Sequence, residues 1–185
     1  MNAIEAARQI GSCFDEDGIP YAIGGALALG VWGVPRATID VDVSAFVRRD
    51  ELGRVLDSLE RAGVIVARDQ AAKDVARIGL VRGQLGRVVI DVFISEHPQY
   101  AAMRDRTRRI VDPAGWSGAF ISAEDLCVHK LVFGRHKDLA DLENLFAVRP
   151  DLDRAYIRRW LVQMVPPGDS RIATLDELER RFGSA

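Results

Sequence analysis

Apolar and polar positions along the first 118 residues follow two periods, one typical of helices and one typical of strands. Helical spacing predicts helices over residues 3–17, 26–32 and 50–62. Alternation and short apolar runs predict strands over residues 21–23, 38–47, 64–67, 76–81 and 87–95, with a further short strand near 109–111. Residues 82–86 are interpreted as a hairpin-like connection, and the chain after Glu96 as a long loose connection. This mixture indicates an α/β (α+β) domain with a mixed sheet.

The second part of the chain has a different pattern, with helical spacing throughout. Ser122, followed by Asp125 three residues later, resembles a capping box at the start of a helix. Predicted helices span residues 123–133, 136–146, 153–165 and 175–182. We therefore expect an α/β domain over residues 1–118 and a C-terminal helical region over residues 119–185.

Composition narrows the class of protein. The chain has 185 residues, a formal net charge of -2 and a pI near 5.9, which argues against a protein that stays wrapped on nucleic acid. Transient binding of an RNA end stays open. Cys13 and Cys127 are too few for a disulfide scaffold or a four-ligand zinc site. Without an apolar leader or a bilayer-length apolar run, we expect a cytoplasmic protein that does not bind membranes.

The candidate chemistry begins in the strand 38–47, where Ile39, Val41 and Val43 alternate with Asp40 and Asp42. The apolar residues are expected to face the core, so the two carboxylates project together from the other face. Adjacent carboxylates repel each other unless a positive charge lies between them, and Mg²⁺ prefers oxygen ligands. The alternative interpretation is the solvated polar face of an edge strand.

A third carboxylate, Asp91, lies in the middle of the apolar run 88–94. A lone buried carboxylate is costly without a partner or an ion. If this strand lies beside the strand of Asp40, the three aspartates form one cluster. The alternative is a structural salt bridge, with Arg87 or Arg36 as the partner.

Gly24 and Gly25 follow a short strand and precede a helix, an arrangement in which backbone amides can approach a phosphate. A glycine pair at this position is more often a tight turn. The segment matches neither a Walker motif nor the dinucleotide fingerprint.

Together these residues resemble the polymerase-beta-like nucleotidyltransferase superfamily. The resemblance covers residues 21–146 and is strongest to AbiEii-type toxins and related uncharacterised bacterial members. It is carried by Gly24, Gly25, Gly33, Arg36, Thr38, Asp40, Asp42 and Asp91, and by Lys130, Asp138 and Asp141 in the helical region. Gly25 stands where many relatives have serine.

The resemblance implies a nucleotidyltransferase fold and transfer of a nucleoside monophosphate from an NTP such as ATP to an acceptor hydroxyl. Two Mg²⁺ ions would bind Asp40, Asp42 and Asp91, and Asp91 would help to activate the attacking hydroxyl. The triphosphate would contact Gly24, Gly25, Arg36, Thr38 and Lys130, with Asp138 and Asp141 orienting the lysine. The acceptor would be an RNA end or a small molecule, and a toxin would have an antitoxin partner.

Other interpretations remain at this point. Arg36 either clamps a phosphate or forms a structural pair near Asp42, and Lys137 with Asp141 has the spacing of a surface ion pair on one helix. The whole chain is alternatively a non-catalytic nucleotide- or partner-binding module with this fold, or a metal-dependent phosphohydrolase that uses the same carboxylates.

Overall fold

The computed structural model describes residues 1–183, which form a seven-stranded sheet and nine α-helices. The helices are α1 Ala3–Glu16, α2 Gly25–Trp32, α3 Leu52–Arg61, α4 Arg68–Ile78, α5 Pro98–Arg106, α6 Ala123–Phe133, α7 His136–Val148, α8 Arg154–Met164 and α9 Ser170–Phe182. The strands are β1 Tyr21–Ile23, β2 Asp40–Ala45, β3 Ile65–Val66, β4 Leu80–Leu85, β5 Val88–Ile94, β6 Arg108–Val111 and β7 Ser117–Phe120. The predicted mixed α/β class is confirmed.

The sheet has the strand order β3-β4-β5-β2-β1-β7-β6. Strand β2 pairs parallel with β5 and antiparallel with β1, so it is a central strand and not the edge strand of the alternative interpretation. Val41 and Val43 of β2, and Ile90 and Val92 of β5, are at most 1 % exposed. Since both neighbours and one face of β2 are fixed by packing, the residues on its other face are held rigidly.

The chain divides into two compact units. The first comprises residues 1–27 and 37–121, and it contains the sheet with helices α1, α3, α4 and α5. The second comprises residues 28–36 and the chain from Ser122 onward. Its core is formed by α6, α7 and α8, where Leu126, Leu142 and Leu161 are buried. Helix α2 begins in the first unit and continues into the second.

Helix starts follow the polar residues in the sequence. At the start of α1, the Asn2 side chain accepts a hydrogen bond from the Glu5 amide, and the Glu5 carboxylate accepts one from the Asn2 amide. Ser122 accepts a hydrogen bond from the Asp125 amide at the start of α6, as the sequence predicts. These caps satisfy amides that the first helical turn leaves without partners.

The predicted strand over residues 76–81 is wrong in its first half. Residues up to Ile78 belong to α4, which the sequence analysis missed, and Gly79 ends this helix with φ of 70°. Residues 82–85 are not part of a connection, because they continue β4, and the hairpin turn consists of Gly86 and Arg87. A short apolar run that crosses a helix end carries no clear period, which explains the error.

Two further expectations are corrected. Ile39 is 69 % exposed and precedes β2, so it does not face the core with Val41 and Val43. The loose connection after Glu96 contains α5 and β7 in addition to the predicted strand near 109–111, which is confirmed as β6. Pro98 begins α5, Pro113 and Gly115 lie in the turn between β6 and β7, and Gly118 lies within β7, so none of them prevents these elements.

Both cysteines are free thiols, and Cys127 is buried. Burial raises the pKa of the Cys127 thiol, so it is protonated at neutral pH. Among residues 1–183, no helix has the length and apolar character that a bilayer-spanning segment needs.

Candidate active site

Strand register brings the three predicted aspartates together on one face of the sheet. Asp40 and Asp42 are two residues apart on β2, and Asp42 is the Cα partner of Asp91 on β5. Residues two apart on a strand, and partners on neighbouring parallel strands, point to the same side of a sheet. Neighbouring strands lie about 4.8 Å apart, so three carboxylates are concentrated in a small area.

A row of side chains crosses three strands at this point: Arg82 on β4, Asp91 on β5 and Asp42 on β2. Gly24, directly after β1, lies beside Asp42 at the end of this row. Asp40 and Asp42 are half-buried, and the side chain of Asp91 is 13 % exposed. The opposite face of the same strands is packed in the core. The carboxylates are therefore partly shielded from water but still accessible, as a ligand site requires.

The glycine pair lies directly against Asp42. The Gly24 amide donates a 2.8 Å hydrogen bond to the Asp42 carbonyl, which extends the pairing of β1 with β2. Gly25 has φ of 56° and begins α2. A Cβ atom at Gly25 would lie 1.9 Å from Oδ2 of Asp42, so the chain needs glycine there for space as well as for its backbone conformation.

Thr38 fixes the start of β2. Its hydroxyl accepts a 3.0 Å hydrogen bond from the Asp40 amide and lies 3.2 Å from the Asp40 carbonyl, to which it donates. The residue therefore positions the backbone of the first aspartate. Contact of Thr38 with a nucleotide remains a prediction.

Asp91 has an arginine partner that the sequence analysis missed. Nε and Nη2 of Arg82 each donate a 2.7 Å hydrogen bond to a different oxygen of the Asp91 carboxylate. The salt-bridge partner is therefore Arg82, and the suggested partners Arg87 and Arg36 are wrong. The available signal was alternation along β4, where Val81 and Leu85 are buried and Arg82 is exposed.

The carboxylates around Arg82 shift its pKa upward. The hydrogen bonds to Asp91 raise the pKa of Arg82, and the negative charges of Asp91, Asp40 and Asp42 raise it further. The guanidinium is thus within electrostatic range of all three carboxylates.

The donor set fits Mg²⁺. Carboxylate oxygens are its preferred protein ligands, and one or two carboxylates with substrate phosphates are sufficient to hold it. Within residues 1–183, no three side chains of aspartate, glutamate, histidine or cysteine are arranged to bind a metal as they stand. Arg82 engages both oxygens of Asp91. Asp40 and Asp42 provide the two-carboxylate set.

The second unit contains a buried ion-pair network around Asp141. It includes Arg36 and Lys130, which the sequence predicts as triphosphate-binding residues. Nζ of Lys130 lies 2.5 Å from Oδ2 of Asp141 and 3.6 Å from Oδ1 of Asp138. Arg36 donates from Nε and Nη2 to the same Asp141 carboxylate at 3.0 to 3.1 Å. The exposed side chain of Arg135 donates a 2.7 Å hydrogen bond from Nε to the Asp138 carboxylate.

The central ion pair of this network is buried. The side chains of Lys130 and Asp141 are each 4 % exposed. Asp141 is therefore a buried partner of Lys130 and Arg36, and the predicted surface pair of Lys137 with Asp141 is wrong. Burial acts to raise the pKa of Asp141, but hydrogen bonds from Arg36 and Lys130 outweigh it, and the pKa lies below its ordinary value.

No model of a known protein family matches the chain, and no curated protein matches it. Solved structures do. The antibiotic-resistance factor ANT(2'')-Ia in its solution structure is 16 % identical, with a TM-score of 0.60 over 98 % of this chain and 100 % of that one. A protein from H. pylori, assigned provisionally as a nucleotidyltransferase, is 17 % identical, with a TM-score of 0.51 over 97 % and 91 % of the two chains.

A crystal structure of ANT(2'')-Ia in complex with adenylyl-2''-tobramycin gives a TM-score of 0.50 at 14 % identity over 95 % of each chain. Identities this low establish the architecture. The chain has the nucleotidyltransferase fold, as the sequence analysis predicts.

Proposed function

We propose that this protein transfers a nucleoside monophosphate from a nucleoside triphosphate to an acceptor hydroxyl and releases pyrophosphate. The observation that carries the proposal is the position of Asp40, Asp42 and Asp91 on one face of two paired strands of a nucleotidyltransferase fold. The glycine turn packed against Asp42 supports it, because this turn brings backbone close to the same carboxylates.

The chemistry requires a nucleophile, a neutralised triphosphate and a leaving group. The acceptor oxygen forms a bond to the α-phosphorus while the bond from that phosphorus to pyrophosphate breaks, and the hydroxyl proton passes to a base. Asp91 is the proposed proton acceptor, and Asp40 with Asp42 and Asp91 would hold Mg²⁺. Bound Mg²⁺ would stabilise the charge that develops on the attacking and leaving oxygens.

The glycine turn is proposed to bind the triphosphate, and phosphate contacts of Arg36 and Lys130 stay predictions from the family resemblance. Gly25 begins α2, where the helix dipole favours negative charge, and Gly24 directly precedes it. The Gly24 amide already donates to the Asp42 carbonyl, so Gly25 is the proposed amide donor of the pair. Arg36 and Lys130 are engaged with Asp141 in this structure. A contact of either cation with phosphate therefore requires that it exchange part of its interaction with Asp141 for a phosphate oxygen.

The test is incubation of the purified protein with each α-³²P-labelled NTP and Mg²⁺, in one arm with total cellular RNA and in another with hydroxyl-bearing small molecules. The small-molecule arm includes an aminoglycoside, because a protein of this fold has been crystallised with adenylyl-2''-tobramycin. The RNA arm tests the toxin-like role that resemblance to AbiEii-type toxins implies. Its success would also make an antitoxin partner worth seeking.

Matched variants give the test its control. Asp40→Asn and Asp42→Asn should each abolish labelling, because they remove a negative charge from the cluster while preserving the shape of the side chain. Asp57→Asn is the same substitution at an exposed side chain on α3 and should label as the wild type does. Equal labelling by wild type and Asp40→Asn would contradict the proposal, and release of inorganic phosphate would indicate a phosphohydrolase.

A further inference from the structure

Arg82 places a positive charge beside the three aspartates, and the proposed reaction gives this charge no role. Its register partner on the neighbouring strand is Asp91, and Asp91 in turn is the register partner of Asp42. The guanidinium therefore stands at the end of a row of carboxylates and binds the nearest one through two hydrogen bonds of 2.7 Å. A fork of this geometry is the strongest arrangement of an arginine with a carboxylate.

Three carboxylates on one face of a sheet repel each other, and the repulsion destabilises the folded chain unless a positive charge offsets it. Arg82 provides such a charge. In doing so it engages both oxygens of Asp91, the oxygens that a divalent cation would also need. Arginine and cation therefore compete for the same carboxylate.

Exposure favours exchange between the two. The Arg82 side chain is 65 % exposed, whereas that of Asp91 is 13 % exposed. Because the guanidinium already lies largely in water, water can solvate it once it is released, which lowers the cost of breaking this ion pair. A divalent cation carries twice the charge of arginine and can contact several carboxylates at once, so its Coulomb attraction to the cluster is greater.

We propose that Arg82 is a displaceable counterion of the three-aspartate cluster: its guanidinium neutralises Asp91 when no divalent cation is bound, and it releases this carboxylate when one binds. Arg82 is in this sense a positioning residue and not a catalytic one. The inference rests on the proposed function, since it assumes that Asp40, Asp42 and Asp91 form the cation site.

Competition makes a direct prediction for binding. Removal of the guanidinium should tighten cation binding, because the cation no longer has to displace it. A purely structural arginine would behave differently, since its loss would lower stability and would leave cation affinity unchanged or weaker.

The experiment measures the dissociation constant of Mn²⁺ for the full chain, without nucleotide, from the electron paramagnetic resonance signal of free Mn²⁺. Arg82→Gln should bind Mn²⁺ about fivefold more tightly than the wild type, the factor that corresponds to an ion pair of about 1 kcal/mol. Arg82→Lys retains the positive charge but not the two-hydrogen-bond fork, so its Mn²⁺ affinity should lie between those of the wild type and Arg82→Gln.

Arg87→Gln is the matched control. Arg87 lies in the turn of the same hairpin and is exposed, so the substitution removes the same charge from the same element. It is four residues from Asp91 along the strand direction, or about 13 Å, where salt screens its charge. Its Mn²⁺ affinity should equal that of the wild type.

Asp40→Asn separates failure of this inference from failure of the proposed function. If Mn²⁺ binding depends on Asp40 and Arg82→Gln does not tighten it, the counterion role is overturned and the cation site stands. If neither the wild type nor Arg82→Gln binds Mn²⁺ in an Asp40-dependent manner, the proposed function is overturned together with the inference. Binding by Arg82→Gln alone, abolished in the double variant with Asp40→Asn, would support both.

Discussion

Gly25→Ala is the substitution for which the structure makes the sharpest prediction. A Cβ atom at this position would lie 1.9 Å from Oδ2, 2.7 Å from Cγ and 3.1 Å from Cβ of Asp42. Atoms cannot approach so closely, so the Asp42 carboxylate must rotate away. The backbone of β2 holds the Asp42 Cβ in place, so rotation about the Cα–Cβ bond is the accessible relief.

The loss of folding stability in Gly25→Ala has two parts. A non-glycine residue in the left-handed region costs about 1–2 kcal/mol, and Gly25 has φ of 56°. Forcing Asp42 away from its rotamer costs about 1 kcal/mol more. Activity should fall as well, because misplacement of a reacting group by about 1 Å can lower a rate by about a hundredfold.

Gly18→Ala measures the loss of stability that comes from the backbone conformation alone. Gly18 has φ of 63°, close to that of Gly25, but a Cβ there would meet no atom within 4 Å. Urea unfolding followed by circular dichroism should show that Gly18→Ala loses about 1–2 kcal/mol and that Gly25→Ala loses about 1 kcal/mol more. Labelling by α-³²P NTP should be unchanged in Gly18→Ala.

A double variant completes the test. In an Asp42→Ala background the colliding carboxylate is absent and only the 3.1 Å approach to the Cβ of residue 42 remains, so Gly25→Ala should cost close to what Gly18→Ala costs. If Gly25→Ala proved as stable and as active as Gly18→Ala in the wild-type background, the close contact between the glycine turn and Asp42 would be refuted. Equal extra cost with and without the Asp42 carboxylate would likewise contradict the reasoning.

Other predictions concern the second unit. Asp141→Asn should destabilise the chain by about 3 kcal/mol in urea unfolding, because it leaves Lys130 and Arg36 without the carboxylate that they share. The pKa of Asp141 is lower in the folded chain than in the unfolded one, so its contribution is complete above about pH 4 and is lost as the pH falls through the folded value. The stability difference between wild type and Asp141→Asn should therefore shrink below about pH 4, and a constant difference down to the lowest pH would contradict it. Tyr156→Phe removes a 2.6 Å hydrogen bond to the buried Asp125 carboxylate and should cost about 1.5–3 kcal/mol, measured in the same way.

Local signals were sufficient for much of the fold. The α/β class, β1, β2, β5, β6 and most helices of the second part were predicted from periodicity and caps, because each depends on residues close in sequence. The same is true of the Asp40 and Asp42 pair, since spacing of two on a strand fixes a common face. Segments with mixed period, such as α4 and α5, were missed because apolar spacing there is short and ambiguous.

Partners distant in sequence required the tertiary structure. The sequence indicated that Asp91 needed a partner, but only the register of β4 with β5 identified Arg82. Likewise, the sequence placed Lys130 and Asp141 on separate helices and predicted Asp141 at the surface. Only the packing of α6 with α7 shows that Asp141 is buried at the centre of an ion-pair network. Spacing along a chain determines which side chains share a face, whereas strand pairing and helix packing determine which faces meet.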